Sequence, residues 1–178
     1  LKKNKKIKKI MLVGFPLSPI RYVDGESSFF YSRVDLEYRL MTFLKKNGYS
    51  VIYKAHPDRL SEVTGLYEGV ADEIISSPFE TIINSTDCFL FTHSSTTTFG
   101  YALLTNKPIF LIDIDSSNVE LDSYNLLRKR VDMVPSYTVK STRIFFDKDT
   151  MLKKMRRSPT DVQDNSYLEK MFLHNTIN

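Results

Sequence analysis

Five consecutive hydroxyl side chains, Ser94 to Thr98, are the residues of this chain best suited by type and spacing to bind a phosphate. They follow an apolar run at 87–92, which predicts a buried strand, and precede a pattern typical of a short helix. The first backbone amides of a helix have no partner within it, so amides and hydroxyls at such a turn can bind a phosphate or a carboxylate. One hydroxyl is enough to cap a helix, whereas three successive threonines disfavour helix formation. We therefore predict that Ser94, Ser95 and Thr96 bind phosphate; the alternative is that one of them only caps the helix.

A second group of residues, Lys54 to Pro57, stands at the end of another apolar run at 50–55. In an open α/β sheet, ligands lie at the carboxyl ends of the strands, so this group and the hydroxyl cluster can face one cleft. Pro57 keeps the preceding residue extended, and an imidazole there can donate a hydrogen bond to a departing phosphate. We therefore predict that His56 is catalytic, the alternative being a structural histidine at a strand end. Lys54 either shares the face of His56 or pairs with an acidic neighbour.

A third turn between an apolar run and a helix, at 76–80, contains Ser77 and Pro78. Proline is common at the first position of a helix, which is the structural explanation of this turn. We predict instead that Ser77 and Pro78 lie against the bound nucleotide. His93 can point into the cleft or into the sheet, and both orientations stay open. The long first loop supplies three candidate substrate contacts and the polar tail a histidine with no predicted role, namely Arg21, Asp24, Glu26 and His174.

The composition is that of an ordinary globular domain. The chain has 178 residues, of which 42% are hydrophobic and 26% charged, enough for one domain with a full core. Much of the net charge of +4 comes from the lysine-rich segment 1–9. Because this charge is not spread over a face that also carries aromatic residues, we predict no nucleic-acid partner. Segment 1–9 is predicted to be a solvated basic linker, with contact to an anionic membrane surface as the alternative.

The cysteine and histidine content excludes other classes of protein. Cys88 is the single cysteine, so an intrachain disulfide is impossible, which fits a reducing cytoplasm. The three histidines and this cysteine are scattered and lack the spacing of a zinc site, so we predict neither a metal nor another cofactor. No apolar run approaches the ~18 residues that span a bilayer. The predicted location is the cytoplasm, with attachment to the periphery of the inner membrane left open.

Apolar runs and helical patterns alternate along most of the chain. They predict strands at 7–15, 50–55, 73–75, 87–92, 108–112 and 143–146, helices at 33–47, 78–83 and 149–156, and a helical or irregular stretch at 59–66. This alternation predicts an α/β fold of the Rossmann-like class, with a doubly wound and mostly parallel sheet. Its first strand is expected between the strands from Ser50 and Asp87. We assign residues 10–157 to this domain and residues 158–178 to a C-terminal tail or helix.

Three motifs of the sequence together resemble the nucleotide-binding half of GT-B glycosyltransferases. They are His56-Pro57, Ser94-Ser95-Thr96 and the run 102–109, and the resemblance covers 8–113 best. It is strongest to the bacterial capsule and surface-polysaccharide group, which includes polysialyltransferase-like, lipooligosaccharide sialyltransferase-like and CDP-glycerol glycerophosphotransferase-like enzymes. The resemblance implies that the first two motifs contact the donor nucleotide and its phosphate. One departure is that 99–101 carries no acid, whereas retaining GT-B enzymes and UDP-sugar epimerases hold the ribose with an acid in that helix.

The resemblance therefore implies the donor-binding domain of an inverting glycosyltransferase that makes a bacterial surface glycan. The donor would be a sugar or polyol phosphate linked to CMP, CDP or UDP. The glycan acceptor and the general base would belong to a missing N-terminal domain. Because the sequence starts at Leu1 and not at a methionine, we expect a fragment of a longer enzyme that is inactive alone. Two alternatives stay open: a sugar-nucleotide epimerase-like enzyme, and a non-catalytic nucleotide-binding or scaffolding domain.

Overall fold

Strands and helices alternate from the first strand to the sixth in the computed structural model, which describes residues 6–15, 27–114, 120–139, 143–157 and 164–173. The strands are β1 (Lys9–Val13), β2 (Ser50–Lys54), β3 (Glu73–Ile75), β4 (Cys88–Phe91), β5 (Ile109–Asp113), β6 (Asp132–Val139) and β7 (Arg143–Phe146). The helices are α1 (Ser27–Lys46), α2 (Leu60–Tyr67), α3 (Phe79–Ile82), α4 (Thr97–Leu103), α5 (Leu121–Arg130), α6 (Lys148–Arg156) and α7 (Ser166–Leu168). The candidate residues Arg21, Asp24, Glu26 and His174 lie outside the described residues.

The seven strands form one sheet in the order β3-β2-β1-β4-β5-β6-β7. All neighbouring strands are parallel except β6 and β7, which form an antiparallel pair. Strand β1 lies between β2 and β4, with Leu12 opposite Tyr53 on one side and Leu90 on the other. The predictions of a Rossmann-like, mostly parallel α/β sheet and of a central first strand are therefore confirmed.

Apolar side chains cover both faces of this sheet. In β1, Ile10 and Leu12 belong to one core cluster, which α1 covers, while Met11 and Val13 belong to a second cluster on the α4 side. Strands that are buried on both faces read as continuous apolar runs, which is why β1 is recognisable in the sequence. Helix α1 ends before Gly48, whose φ of +81° is suited to glycine and stops the helix as predicted.

The sequence pattern predicts neither α5 nor β6. Helix α5 is obscured by its basic last turn, with Arg128, Lys129 and Arg130. Strand β6 is obscured by Pro135, because proline has no amide hydrogen to donate to a neighbouring strand. Strand β6 accommodates Pro135 because it changes partner there. Its first half pairs with β5 and its second half with β7.

The two ends of the described chain also pack against the sheet. Ile7, inside the predicted linker 1–9, is 5% exposed, and residues 1–5 lie outside the described residues. After α6, residues 164–173 return to the second core cluster, where Tyr167 and Leu168 are each 5% exposed. Across the described ranges, no helix has both the length and the apolar character needed to cross a membrane.

Candidate functional site

A cleft of about 470 Å³ lies at the carboxyl ends of β1 to β4. It opens where the sheet order runs outward in two directions from β1, the position at which open α/β sheets bind ligands. The residues that line it come from four strand ends and from helices α3 and α4. They are Val13, Gly14, Lys54, Ala55, His56, Pro57, Ser76, Pro78, Phe79, Glu80, His93, Thr96, Thr97, Thr98 and Tyr101.

The structure brings three of the predicted site residues together in this cleft, namely His56, Pro78 and Thr96. The other three stand beside it and are not part of the lining. Ser95 and Ser77 are exposed, and Ser94 is half-buried beside Tyr167. Ser76, Thr97 and Thr98, one to three positions away in the sequence, line the cleft instead.

Thr96 also has the structural role that was the alternative for this cluster. It is the N-cap of α4, and its hydroxyl accepts a hydrogen bond of 3.3 Å from the backbone amide of Phe99. Such a cap contributes about 1 kcal/mol to helix stability. The cap does not need Thr97 or Thr98. Capping therefore does not explain why these two threonines line the cleft.

Lys54 is the buried cation of the cleft. Its side chain is 7% exposed in a residue that lines the cavity, and its ammonium donates to the carbonyl oxygens of Ala55 at 2.7 Å and Ser76 at 3.5 Å. No described carboxylate lies within ion-pair distance of it. Burial lowers the pKa of Lys54, and the negative charge of Glu80 opposes that shift. An anion bound in the cleft would compensate this buried charge.

His93 lines the cleft as a neutral group. Its ring packs edge-on against Phe15 with 4.8 Å between the ring centroids, and the side chain is 7% exposed. Burial, assisted by the charge of Arg33, lowers its pKa to about 3. His93 can therefore offer a hydrogen bond at neutral pH but no positive charge. It both packs on the sheet and reaches the cleft.

A buried polar network holds the strand ends beneath the cleft. The carboxylate of Glu37 on α1 accepts hydrogen bonds from the Phe15 amide (2.9 Å), the Tyr53 hydroxyl (2.8 Å) and the Tyr67 hydroxyl (2.9 Å). Burial raises the pKa of Glu37, while these bonds and the charge of Arg59 oppose the rise. Arg59 in turn donates to the Phe15 carbonyl at 3.1 Å. The network thus ties the ends of β1 and β2 to α1 and α2.

Gly14 completes this arrangement at the end of β1. A Cβ atom at this position would lie 2.1 Å from the Tyr53 hydroxyl oxygen. Only glycine leaves room for Tyr53 to reach Glu37 past the strand end. The backbone at the floor of the cleft is therefore fixed by a close contact that any other side chain would disrupt.

Two lining residues, Glu80 and Tyr101, were not singled out in the sequence. Glu80 comes from the first turn of α3 and Tyr101, which is 46% exposed, from α4. Glu80 places an acid in the cleft although 99–101 carries none. The turn at 76–80 could have signalled it, since Glu80 stands two residues after Pro78. Among the described residues, no group of three or more acidic, histidine or cysteine side chains could hold a metal ion.

Comparison with known proteins finds two solved structures of low similarity. No protein-family model matches the sequence, and no curated protein matches it. The solved structure of MT0777 is 18% identical, with a TM-score of 0.47 over 83% of this chain and 93% of that chain. The β-Kdo 2,7 transferase KpsC of Thermosulfurimonas dismutans is 22% identical, with a TM-score of 0.39 over 61% of this chain and 34% of that chain. This chain therefore spans about a third of that KpsC chain. Similarity of this size indicates neither substrate nor activity.

Proposed function

We propose that the cleft binds the phosphate of a nucleotide-activated sugar or polyol phosphate, and that the chain is the donor-binding domain of an inverting glycosyltransferase. The observation that carries the proposal is the buried residue Lys54, whose ammonium has no described carboxylate at ion-pair distance, in a cleft that His56 and Thr96 to Thr98 also line. A buried cation of this kind costs stability unless an anion accompanies it. A charged hydrogen bond to phosphate would contribute about 1.5–3 kcal/mol.

The cleft residues would act on the leaving group of the transfer. With a sugar donor, an acceptor hydroxyl attacks the anomeric carbon, the bond from that carbon to the phosphate oxygen breaks, and the nucleotide leaves with the electron pair. With a polyol phosphate donor, the hydroxyl attacks the phosphorus that carries the polyol, the phosphoanhydride bond breaks, and the nucleoside monophosphate leaves with the electron pair. Lys54 and the threonine hydroxyls bind the phosphate, and His56 donates a hydrogen bond to the oxygen on which charge develops. The proton of the acceptor goes to a general base, which the resemblance assigns to another domain.

A second candidate, a sugar-nucleotide epimerase-like enzyme, is favoured by one observation. Glu80 lines the cleft together with the threonines, and a carboxylate there can accept hydrogen bonds from ribose hydroxyls. Glu80→Gln separates the two functions in part. In an epimerase that holds ribose through Glu80, this variant weakens the binding of a nucleoside diphosphate by about tenfold. A transferase in which Glu80 only faces Lys54 keeps its affinity.

A thermal-shift panel of CMP, CDP, UDP and GDP tests the proposed function. A nucleotide at 100 times its dissociation constant stabilises the folded protein by about 2.7 kcal/mol. We expect at least one of the four to do so in the wild type and in Lys153→Met, which removes an exposed lysine of α6. Lys54→Met should lose most of the shift. The proposal is wrong if none of the four nucleotides stabilises the wild-type protein.

A further inference from the structure

The segment 164–173, called here the C-terminal segment, packs on the side of α4 that faces away from the cleft. Tyr167 and Leu168 are buried in the second core cluster, together with Phe99 and Leu103 of α4. The ammonium of Lys170 pairs with Glu120 at 3.1 Å, at the start of α5. The C-terminal segment is therefore fixed to the domain by both buried side chains and an ion pair.

Two contacts of the C-terminal segment reach the turn between β4 and α4. The side chain of Tyr167 lies beside that of Ser94, the first residue of the hydroxyl cluster, and burial raises the pKa of Tyr167 while Ser94 opposes that rise. The ring of Phe172 packs against Gly100, so closely that a Cβ there would lie 3.1 Å from the Cε1 atom of Phe172. The backbone conformation at Gly100 does not require a glycine, because its φ is not positive. Its lack of a side chain serves the contact with Phe172.

The same stretch of chain lines the cleft on its other side. Thr96, Thr97, Thr98 and Tyr101 belong to the lining, and the Gly100 amide donates to the Thr96 carbonyl at 3.2 Å. The turn therefore lies between the cleft and the C-terminal segment. A shift of the segment would be transmitted to the threonine hydroxyls through one helical turn.

We propose that the C-terminal segment is a positioning element of the cleft, and that Tyr167 and Phe172 set the affinity for the nucleotide by fixing the turn at 94–98. The proposal rests on the proposed function for its ligand. Coupling between two sites is reciprocal in binding free energy. Nucleotide binding therefore strengthens the docking of the segment by the same factor by which docking strengthens nucleotide binding.

Tyr167→Phe removes the hydroxyl that lies beside Ser94 with little change in packing, and so tests that polar contact. We expect the affinity for the nucleotide that stabilises the wild type, measured by calorimetry with CMP, CDP or UDP, to fall about fivefold, the size of one hydrogen bond. Amide hydrogen exchange at 94–99 should become faster in the free protein. In the wild type, the same nucleotide should slow exchange within 164–173.

Gly100→Ala tests the packing contact, with Gly65→Ala as its matched control. Both replace a glycine within a helix, but a Cβ at Gly65 meets nothing within 4 Å. We expect Gly100→Ala to speed exchange within 164–173 and to lower nucleotide affinity, whereas Gly65→Ala leaves both unchanged. If Gly100→Ala does not fold, Tyr167→Phe alone tests whether the C-terminal segment positions the turn.

The outcomes separate this proposal from the proposed function. Tyr167→Phe must have an effect if the inference is right. If this variant leaves both the nucleotide affinity and the amide exchange at 94–99 unchanged, the C-terminal segment only packs on the core and the inference is wrong. If the wild type binds none of the nucleotides, the proposed function fails. Faster exchange at 94–99 in Tyr167→Phe would then still support the positioning of the turn, and unchanged exchange would reject it.

Discussion

At the scale of single residues, Lys54 is a buried cation that has no described carboxylate at ion-pair distance. Its ammonium is buried among carbonyl oxygens, and burial lowers its pKa from the ordinary value of 10.5. The folded state therefore binds fewer protons than the unfolded state between the lowered pKa and 10.5. Stability of the protein without ligand rises with pH through that window.

Lys54→Met is expected to weaken ligand binding without weakening the fold. Because methionine fills similar space and carries no buried charge, its free energy of unfolding at pH 7 should equal or exceed that of the wild type. The rise of stability toward pH 10.5 should disappear. Urea unfolding at several pH values between neutral pH and 10.5 measures the free energy of unfolding and its change with pH. A variant that is less stable at neutral pH would show that Lys54 is held for structural reasons.

His56 is expected to contribute more to turnover than to binding. If it donates to the leaving phosphate, its hydrogen bond strengthens as charge develops in the transition state. If the proposed function holds, His56→Ala in an active transferase that contains this chain should lower the maximal rate about a hundredfold or more, with a much smaller loss of nucleotide affinity. Steady-state kinetics and a melting curve on this variant check the expectation. A structural histidine would give the reverse result, a lower melting temperature with nearly normal turnover per folded molecule.

At the scale of secondary-structure elements, the Glu37 network holds four elements in one geometry. Glu37→Ala leaves three donors without their acceptor, at about 1–3 kcal/mol each. We expect it to lose about 3 kcal/mol or more of unfolding free energy in urea. Tyr67→Phe, which removes one donor and leaves the carboxylate satisfied by the others, should lose about 1 kcal/mol. Equal losses would mean that the carboxylate is not the centre of the network.

The raised pKa of Glu37 adds a pH dependence whose sign is opposite to that of an ordinary paired carboxylate. The folded state binds more protons than the unfolded state at pH values between 4.5 and the raised pKa. The contribution of Glu37 to stability is therefore complete below pH 4.5 and declines as the pH rises through the folded pKa. Relative to Glu37→Gln, which does not titrate, the wild type should lose stability over that range in urea titrations.

Much of the fold could be predicted from the sequence because the central strands are buried on both faces. The residues of β1, β2, β4 and β5 are continuous apolar runs, whereas Pro135 and the basic end of α5 obscure the elements around β6. The site was only partly predictable. His56 follows an apolar run directly and Thr96 stands four residues after another, so their place near the strand ends could be inferred. Glu80 and Tyr101 reach the cleft only because α3 and α4 lie beside each other, and a linear pattern does not contain that information.

At the scale of the whole molecule, helix α1 protects the edge of the sheet at β7. Arg39 donates to the carbonyl of Ile144 and pairs with Asp35 at 2.7 Å, and Arg143 pairs with the same carboxylate at 3.2 Å. Although burial would raise the pKa of Asp35, hydrogen bonds and charges from the two arginines hold it below its usual value. An edge strand with unpaired carbonyls can pair with another chain, and charged side chains prevent this.

Arg39→Ala is therefore expected to promote association of the folded protein. It uncovers a carbonyl of β7 and removes one of the two charges around Asp35. Light scattering at increasing protein concentration should show a larger mean size for this variant than for Arg157→Ala, which removes an ion-paired arginine away from this edge. The same scattering for both variants would indicate that only the loss of charge matters.

The return of the C-terminal segment to the core also has a consequence for the synthesis of the protein. All seven strands leave the ribosome before Tyr167 and Leu168 do, yet these two residues cover apolar side chains of α4 and α5. At about 5–20 residues per second, the nascent chain spends about one to four seconds with its sheet complete and this face uncovered. During that interval, binding by a chaperone competes with aggregation and proteolysis for the same apolar surface.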